Sequence, residues 1–166
     1  MKKIFFLSVI FFATTLQLAF AQEKKLPSII LTDVNGNKVD LSQLNKDGKI
    51  IILDFWATWC VPCKKELTNI MNEYAEWQKN YNVELIAISI DDSRNTTKVK
   101  PMVDGLSWPY LVLLDPNSDL KRILGFQNVP YVLVADKDGN IVYQHTGYVE
   151  GDEFELEDQL KKMVGN

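Results

Sequence analysis

The sequence predicts an α/β protein in which helices flank a mixed central sheet, and three observations support this prediction. Residues 50–55 form an apolar run without alternation, bounded by turn residues, which is typical of a strand buried on both faces. Residues 83–90 form a second, largely apolar run. Between the two runs, apolar side chains recur at helical spacing at Leu67, Ile70, Met71, Tyr74 and Trp77. Strand and helix patterns that alternate in this way indicate a sheet with helices on its faces.

The residues before the first buried strand predict a β-hairpin. Two short runs with alternating apolar residues, 28–32 and 38–41, flank Asn35-Gly36, which is a strong signal for a two-residue hairpin turn. The hairpin is an N-terminal extension of the predicted sheet.

Two helices are predicted in the middle of the chain. The first covers residues 62–81, and Pro62 is tolerated in its first turn because the missing N–H would have had no partner there. The stretch 91–93, Asp-Asp-Ser, predicts the N-cap of a second helix that reaches about Met102, because Pro101 limits its extension.

The C-terminal part predicts a short strand, a short helix that ends at Gly125, a hairpin and a closing helix. These elements cover, in order, residues 110–114, 120–124, 131–145 and 151–164. The hairpin turns within residues 136–139, which end in a glycine. The closing helix is predicted to be amphipathic, with an apolar face formed by Phe154, Leu156, Leu160 and Met163.

The first 21 residues predict a signal peptide, so the chain is expected to be exported to the periplasm or cell envelope. Lys2 and Lys3 form a positive segment, residues 4–20 are almost wholly apolar, and Ala19-Phe20-Ala21 fits the cleavage pattern. Cleavage after Ala21 leaves residues 22–166 as a single domain. The alternative is an N-terminal membrane anchor, but this apolar segment is short for a hydrocarbon core of about 30 Å.

The charge and the cysteine content restrict the function. A net charge of −4 without basic clusters argues against nucleic acid as a partner. Cys60 and Cys63 are the only two cysteines, and a disulfide across two residues would contribute little to stability. At a helix N-terminus, however, the first thiol is favoured as a thiolate, which predicts reversible redox chemistry. With His145 as the only histidine, no metal site is predicted, and His145 is expected at the surface or in a cross-strand pair.

The segment from Ile52 to Glu66, which reads ILDFWATWCVPCKKE, is similar to the active-site stretch of the thioredoxin superfamily. Together with the export signal and the long segment before Pro130, it resembles the TlpA/ResA-type branch of extracytoplasmic thiol–disulfide oxidoreductases. The resemblance covers residues 26–164. It implies a thioredoxin fold with an N-terminal hairpin extension and an insert before the cis-Pro hairpin.

The resemblance also implies roles for individual residues. Cys60 would be the exposed attacking thiol and Cys63 the shielded resolving thiol of a redox-active disulfide. Val129-Pro130 matches the family's cis-proline, which leaves an open backbone edge for substrate. The implied substrate-binding surface comprises Trp59, Pro62, Val129 and Pro130.

Two carboxylates are candidate catalytic residues beside the cysteines. Asp54 lies within the apolar strand, where a raised pKa would make it a proton acceptor for Cys63; the alternative is a carboxylate that only hydrogen-bonds a neighbouring loop. Asp54 matches the buried Asp of thioredoxins. Glu66 follows Cys63 by one helical turn, and in the resembling branch a Glu at this place tunes the thiols. The alternative for Glu66 is a carboxylate that interacts with the helix dipole.

The function implied by the resemblance is a protein-disulfide reductase that acts on exported proteins, apocytochrome c among them. A membrane-embedded dithiol carrier is the expected electron donor, because the sequence has no nucleotide or flavin motif and predicts no bound cofactor. The alternatives are a disulfide oxidase or isomerase, and a chaperone-like binding module without catalysis. Two residues depart from the pattern of the branch: Thr68 stands where the branch often has Pro, and Val129 stands where many relatives have Thr. Both departures bear on substrate preference and redox poise.

Overall fold

The computed structural model describes residues 24–165, which form seven strands and four α-helices. The strands are β1 (Ile30–Asp33), β2 (Lys38–Asp40), β3 (Ile50–Trp56), β4 (Val83–Ser89), β5 (Leu111–Leu114), β6 (Tyr131–Ala135) and β7 (Ile141–Thr146). The helices are α1 (Val61–Tyr81), α2 (Val99–Leu106), α3 (Asp119–Leu124) and α4 (Asp152–Val164). Short 3-10 turns lie at Leu41–Gln43 and Thr96–Lys98.

The strands form one mixed sheet in the order β2-β1-β5-β4-β3-β6-β7. Strand β4 runs parallel to both β3 and β5, whereas β6 runs antiparallel to β3. The N-terminal hairpin, β1 and β2, extends the sheet beyond β5, and the C-terminal hairpin places β7 at the other edge. The predicted mixed sheet and both predicted hairpins are therefore confirmed.

Strand β3 is buried on both faces, as its uninterrupted apolar run predicts. Ile52 and Trp56 belong to a core that also contains buried side chains of α1, α2 and α4. Ile51 and Leu53 belong to a second core that contains the buried side chains of α3. Alternate residues of β3 thus point to opposite faces, and helices cover both. Residue 54 falls on the α1 and α4 face.

The second helix differs from its prediction. It begins at Val99 and ends at Leu106, with Pro101 in its first turn, where an N–H would have no intrahelical partner. The predicted N-cap at residues 91–93 is wrong because the Asp91 side chain turns inward and Asp92 instead bonds within its own turn. The sequence predicts that Pro101 ends the helix, whereas in the structure Pro101 lies near the start of α2.

The helices near the C-terminus follow the sequence more closely. Helix α3 ends at Gly125, whose positive φ of 77° is the left-handed conformation that glycine adopts at helix ends. In α4, Leu156 and Leu160 are buried as predicted, but Phe154 is exposed. Phe154 lies next to buried Glu153, so it falls off the stripe that faces the core.

Within residues 24–165, no helix has the length and apolar character that a bilayer span requires. The predicted signal peptide and its cleavage site at Ala21 lie outside the described residues.

Candidate active site

A disulfide joins Cys60 and Cys63 at the start of α1, with 5.4 Å between their Cα atoms. Cys60 is the N-cap residue, and its Sγ accepts a hydrogen bond from the backbone N–H of Cys63 at 3.3 Å. Pro62 stands in the first turn, where it displaces no intrahelical hydrogen bond. The sulfur of Cys60 therefore faces the positive end of the helix dipole, which favours a thiolate at that atom.

The two cysteines differ less in exposure than the resemblance implies. Cys60 retains 4% of its accessible surface and Cys63 retains none. Cys60 is the more exposed of the two, in agreement with an outer and an inner thiol. The expectation that Cys60 is exposed, however, is wrong in this oxidised state. Its Sγ points toward the helix start, where it is bonded to Cys63, rather than outward.

The Val129–Pro130 peptide bond is cis, as the resemblance implies. Pro130 immediately precedes β6, and β6 pairs antiparallel with β3, so this loop lies at the end of β3 from which the chain continues to Cys60. Val129 packs against the core cluster that contains both cysteines. The loop is held in place because the N–H of Gly147 donates to the carbonyl of Pro130 at 2.9 Å.

Exposed apolar side chains flank the dithiol. Trp59 is 64% exposed, and Val61, on the other side of Cys60, is also exposed. Pro62 is exposed as well. Trp59 thus presents its ring largely to solvent. Val61 was not among the predicted site residues, although an apolar residue between two cysteines at a helix start indicates a possible substrate contact.

Asp54 is fully buried on the α1 and α4 face of the sheet. Neither of its carboxylate oxygens has a hydrogen-bond partner within residues 24–165, so it does not tie down a neighbouring loop. Burial raises the pKa of Asp54 well above that of an ordinary carboxyl group. A carboxyl in this state can hold or accept a proton near neutral pH.

Glu66 is the second buried carboxyl of the site, with only 3% of its surface exposed. Its pKa is raised, first by burial and then by the negative charges of Asp54, Asp152 and Glu153. Its Oε2 lacks a hydrogen-bond partner in the described part of the chain. The alternative of an ordinary first-turn carboxylate at the helix dipole fits less well, because α1 turns Glu66 into the core and burial favours the neutral acid.

Asp91, predicted as part of a helix cap, instead belongs to this region. Its carboxylate accepts hydrogen bonds from the Thr58 N–H at 2.8 Å, the Thr58 hydroxyl at 2.7 Å and the Ser89 hydroxyl at 2.9 Å. Lys64 Nζ donates to the Thr58 carbonyl at 3.0 Å. These bonds hold the loop that leads to Cys60. An Asp directly after a buried strand was the available signal.

Thr68 and His145 also have defined contacts. The Thr68 hydroxyl accepts a hydrogen bond from Trp108 Nε1 at 3.2 Å, and Trp108 packs edge-on against Trp56. His145 is a half-buried cross-strand residue, as predicted, and its Nε2 lies 3.5 Å from a carboxylate oxygen of Asp152.

A vicinal dithiol of this kind stores two electrons in one S–S bond and exchanges them with another thiol or disulfide through a mixed disulfide. Together with a cis-proline loop on a mixed sheet, it defines the class, a thiol–disulfide oxidoreductase with a thioredoxin fold. The chain belongs to the Redoxin family, whose model matches residues 21–160.

Individual relatives agree with this assignment. The chain is 35% identical to the thiol-disulfide oxidoreductase ResA of Bacillus thuringiensis (strain Al Hakam), over 85% of this chain and 78% of that protein. A thioredoxin-like protein from Porphyromonas gingivalis superposes with a TM-score of 0.75 at 45% identity, covering 84% of this chain and 92% of that one. A putative thiol:disulfide interchange protein DsbE from Chlorobium tepidum superposes with a TM-score of 0.75 at 28% identity, covering 86% of this chain and 97% of that one. The protein is thus of the TlpA/ResA type.

Proposed function

We propose that this protein is exported and that it reduces disulfides in other exported proteins through Cys60 and Cys63. The observation that carries the reducing direction is the pair of buried carboxyls, Asp54 and Glu66, on the face that also buries Cys63. Whenever one carboxyl of this pair ionises, its negative charge in the buried site disfavours a nearby thiolate. A dithiol is a strong oxidant when its reduced form is stabilised. These carboxyls destabilise the thiolate of the reduced form, so they favour a reductant.

The reaction runs in two exchange steps. The Cys60 thiolate attacks a substrate disulfide, a Cys60–substrate mixed disulfide forms, and the other substrate sulfur leaves as a thiolate. Cys63 then gives its proton to a carboxylate of the Asp54–Glu66 pair and attacks the sulfur of Cys60. The Cys60–Cys63 disulfide forms, the second substrate thiolate leaves, and two electrons have passed to the substrate.

The surface around the dithiol supplies the substrate contacts in this proposal. Trp59, Pro62 and Val129 offer apolar contact, and the cis bond before Pro130 leaves the backbone edge accessible to an extended segment. Exported thiol proteins, with apocytochrome c as the leading case, are the substrate class. The N-terminal signal segment supports an extracytoplasmic location, and a membrane-embedded dithiol carrier returns the electrons.

The reduction potential of Cys60–Cys63 tests the direction. Equilibration against glutathione or dithiothreitol buffers should give a value near that of thioredoxin, about −270 mV. A value near that of DsbA, about −120 mV, would instead assign the protein as an oxidant.

Trapping tests the mechanism. Cys63→Ser should accumulate mixed disulfides with exported proteins through Cys60, because the resolving thiol is absent. The double variant Cys60→Ser/Cys63→Ser is the control and should form none. Adducts that survive reducing agent, or none at all from Cys63→Ser, would favour a binding module without catalysis.

A further inference from the structure

One row of residues crosses three strands beneath α1 and α4. Asp54 of β3 pairs with Val132 of β6, and Val132 pairs with His145 of β7. Directly opposed residues of antiparallel strands project from the same face of the sheet, so all three point toward the same two helices. With strands about 4.8 Å apart, His145 lies two strand spacings from the buried Asp54. The row therefore leads from the site to the edge of the sheet.

A crevice above this row reaches from the core to the surface. It is lined by Glu66, Val132, Tyr143, His145, Asp152 and Leu156, and we call it the Glu66 crevice. Its volume of about 10 Å³ is close to the smallest space that admits one water molecule. The inner end is formed by Glu66 and the outer end by His145 and Asp152, whose side chains are 33% and 19% exposed.

The polar atoms along the Glu66 crevice suit proton exchange. Glu66 Oε2 is buried and lacks a partner within residues 24–165, so a water in the crevice would satisfy it. At the outer end, Nε2 of His145 lies 3.5 Å from Asp152. An imidazole can accept a proton at one nitrogen while it donates from the other. Glu153, by contrast, is engaged by the Tyr148 hydroxyl and the Gly151 N–H.

An attached substrate would obstruct the front of the site, where the dithiol lies. Cys63 is fully buried, and a substrate bonded to Cys60 covers the other cysteine of the pair. Burial raises the pKa of both carboxyls, so the pair holds a proton at rest, and this proton must reach solvent before the pair can accept one from Cys63. The Glu66 crevice opens between β7 and α4, away from Trp59 and Cys60.

We propose that the Glu66 crevice is the proton-exchange route of the active site. In this route a water in the crevice links Glu66 to His145. His145 is a positioning residue, and Asp152 is its partner. During oxidation of the dithiol, the proton held by the carboxyl pair passes through the water and His145 to solvent, and Cys63 then loses its own proton to the pair. During reduction the same path runs inward. The groups that face the route are Asp54 from β3, Glu66 from α1, Tyr143 from β7, and Asp152 and Glu153 from α4. The inference rests on the proton-accepting role proposed above for the carboxyl pair, but not on the direction of electron flow.

The test follows the resolving step with oxidised glutathione as the probe. Reduced protein is mixed with excess oxidised glutathione, and the first-order closure of Cys60–Cys63 is followed by tryptophan fluorescence. His145→Gly should slow closure by about tenfold, less than the 10²- to 10⁴-fold that a directly transferring group contributes. Imidazole added to the buffer should restore most of the rate. The equilibrium constant with glutathione should stay within about twofold, because a route changes rates and not end states.

Two further variants keep the test decisive. Thr146→Gly changes the neighbouring, outward-facing residue of the same strand and should close at the parent rate, with no response to imidazole. His145→Gln preserves the strand and should be slow but close to the parent in stability. Parent-like closure in both His145 variants would overturn the route, as would a slow His145→Gly that imidazole does not rescue. If the parent protein fails to exchange with glutathione at all, the proposed function fails instead.

Discussion

Two buried aspartates on neighbouring strands show how the same side chain serves opposite purposes. Asp54 lies within β3, and Asp91 follows the end of β4, the parallel neighbour of β3. Both are fully buried. Asp91 accepts three hydrogen bonds from Thr58 and Ser89, whereas neither oxygen of Asp54 has a partner in residues 24–165. Burial alone therefore does not decide the role of a carboxyl; the donors around it do.

The physical difference is the presence of hydrogen-bond donors. Hydrogen-bond donors stabilise a carboxylate, while an apolar environment without donors favours the neutral acid. The donors on Asp91 hold the loop before Cys60 in one conformation. Asp54 and Glu66 have raised pKa values, which would let them exchange a proton in the proposed reaction. One aspartate holds the loop of the site, and the other takes part in proton transfer in the proposed reaction.

Removal of Asp91 should have the largest effect on stability. Asp91→Ala leaves the N–H and hydroxyl of Thr58 and the hydroxyl of Ser89 without their acceptor. Each of these groups that stays buried and unpaired destabilises the fold by about 1–3 kcal/mol. We expect a loss of about 3–5 kcal/mol in the free energy of unfolding, measured with urea on the oxidised protein. Asp92→Ala is the matched control, because the adjacent carboxylate bonds the exposed Arg94. Equal losses in the two variants would remove the distinction between Asp91 and Asp54.

Asp54→Asn should change the pH dependence of stability rather than weaken the fold. The folded protein holds a proton on Asp54 above the ordinary aspartate pKa of about 3.9, so the native state binds more protons than the unfolded state there. Stability must then fall as pH rises from about 4 toward the raised pKa, by about 1.4 kcal/mol per pH unit for one proton. Asp54→Asn should flatten this slope.

The measurement is urea unfolding of both oxidised proteins at several pH values between about 4 and 8. Parallel profiles for the parent and Asp54→Asn would show that Asp54 is already ionised in the fold, like a carboxylate supplied with donors. Glu66→Gln serves as a companion, because the Asp54 charge contributes to the raised pKa of Glu66. Since the two carboxyls interact, the effects of the two substitutions should not add.

The smallest effect on stability is expected at Thr68, whose hydroxyl accepts one hydrogen bond, from Trp108. Thr68→Val keeps the shape but removes the acceptor for Trp108 Nε1, which should cost about 1 kcal/mol of unfolding free energy. Thr68→Ser retains the hydroxyl and should lose less. A larger loss for Thr68→Ser than for Thr68→Val would show that methyl packing, and not this hydrogen bond, decides the position.

Most elements of the fold could be predicted because their signals are local. The buried run of β3, the Asn35-Gly36 turn and the helix end at Gly125 each follow from a few adjacent residues. Helix α2 could not be placed in this way. Asp91 was available as a cap by its sequence position, but a contact with Thr58, 33 residues away, takes its side chain inward.

Local sequence patterns predict the class of chemistry: two cysteines lie at the start of a helix, an apolar strand precedes them, and the carboxyl-bearing residues Asp54 and Glu66 are close by. These features are encoded by spacing within one segment of chain. Which buried carboxyls receive hydrogen-bond donors, by contrast, depends on long-range packing, and so does the alignment of Asp54, Val132 and His145 in one row. The reason is physical, since strand register and hydrogen-bond satisfaction depend on partners that are distant in sequence.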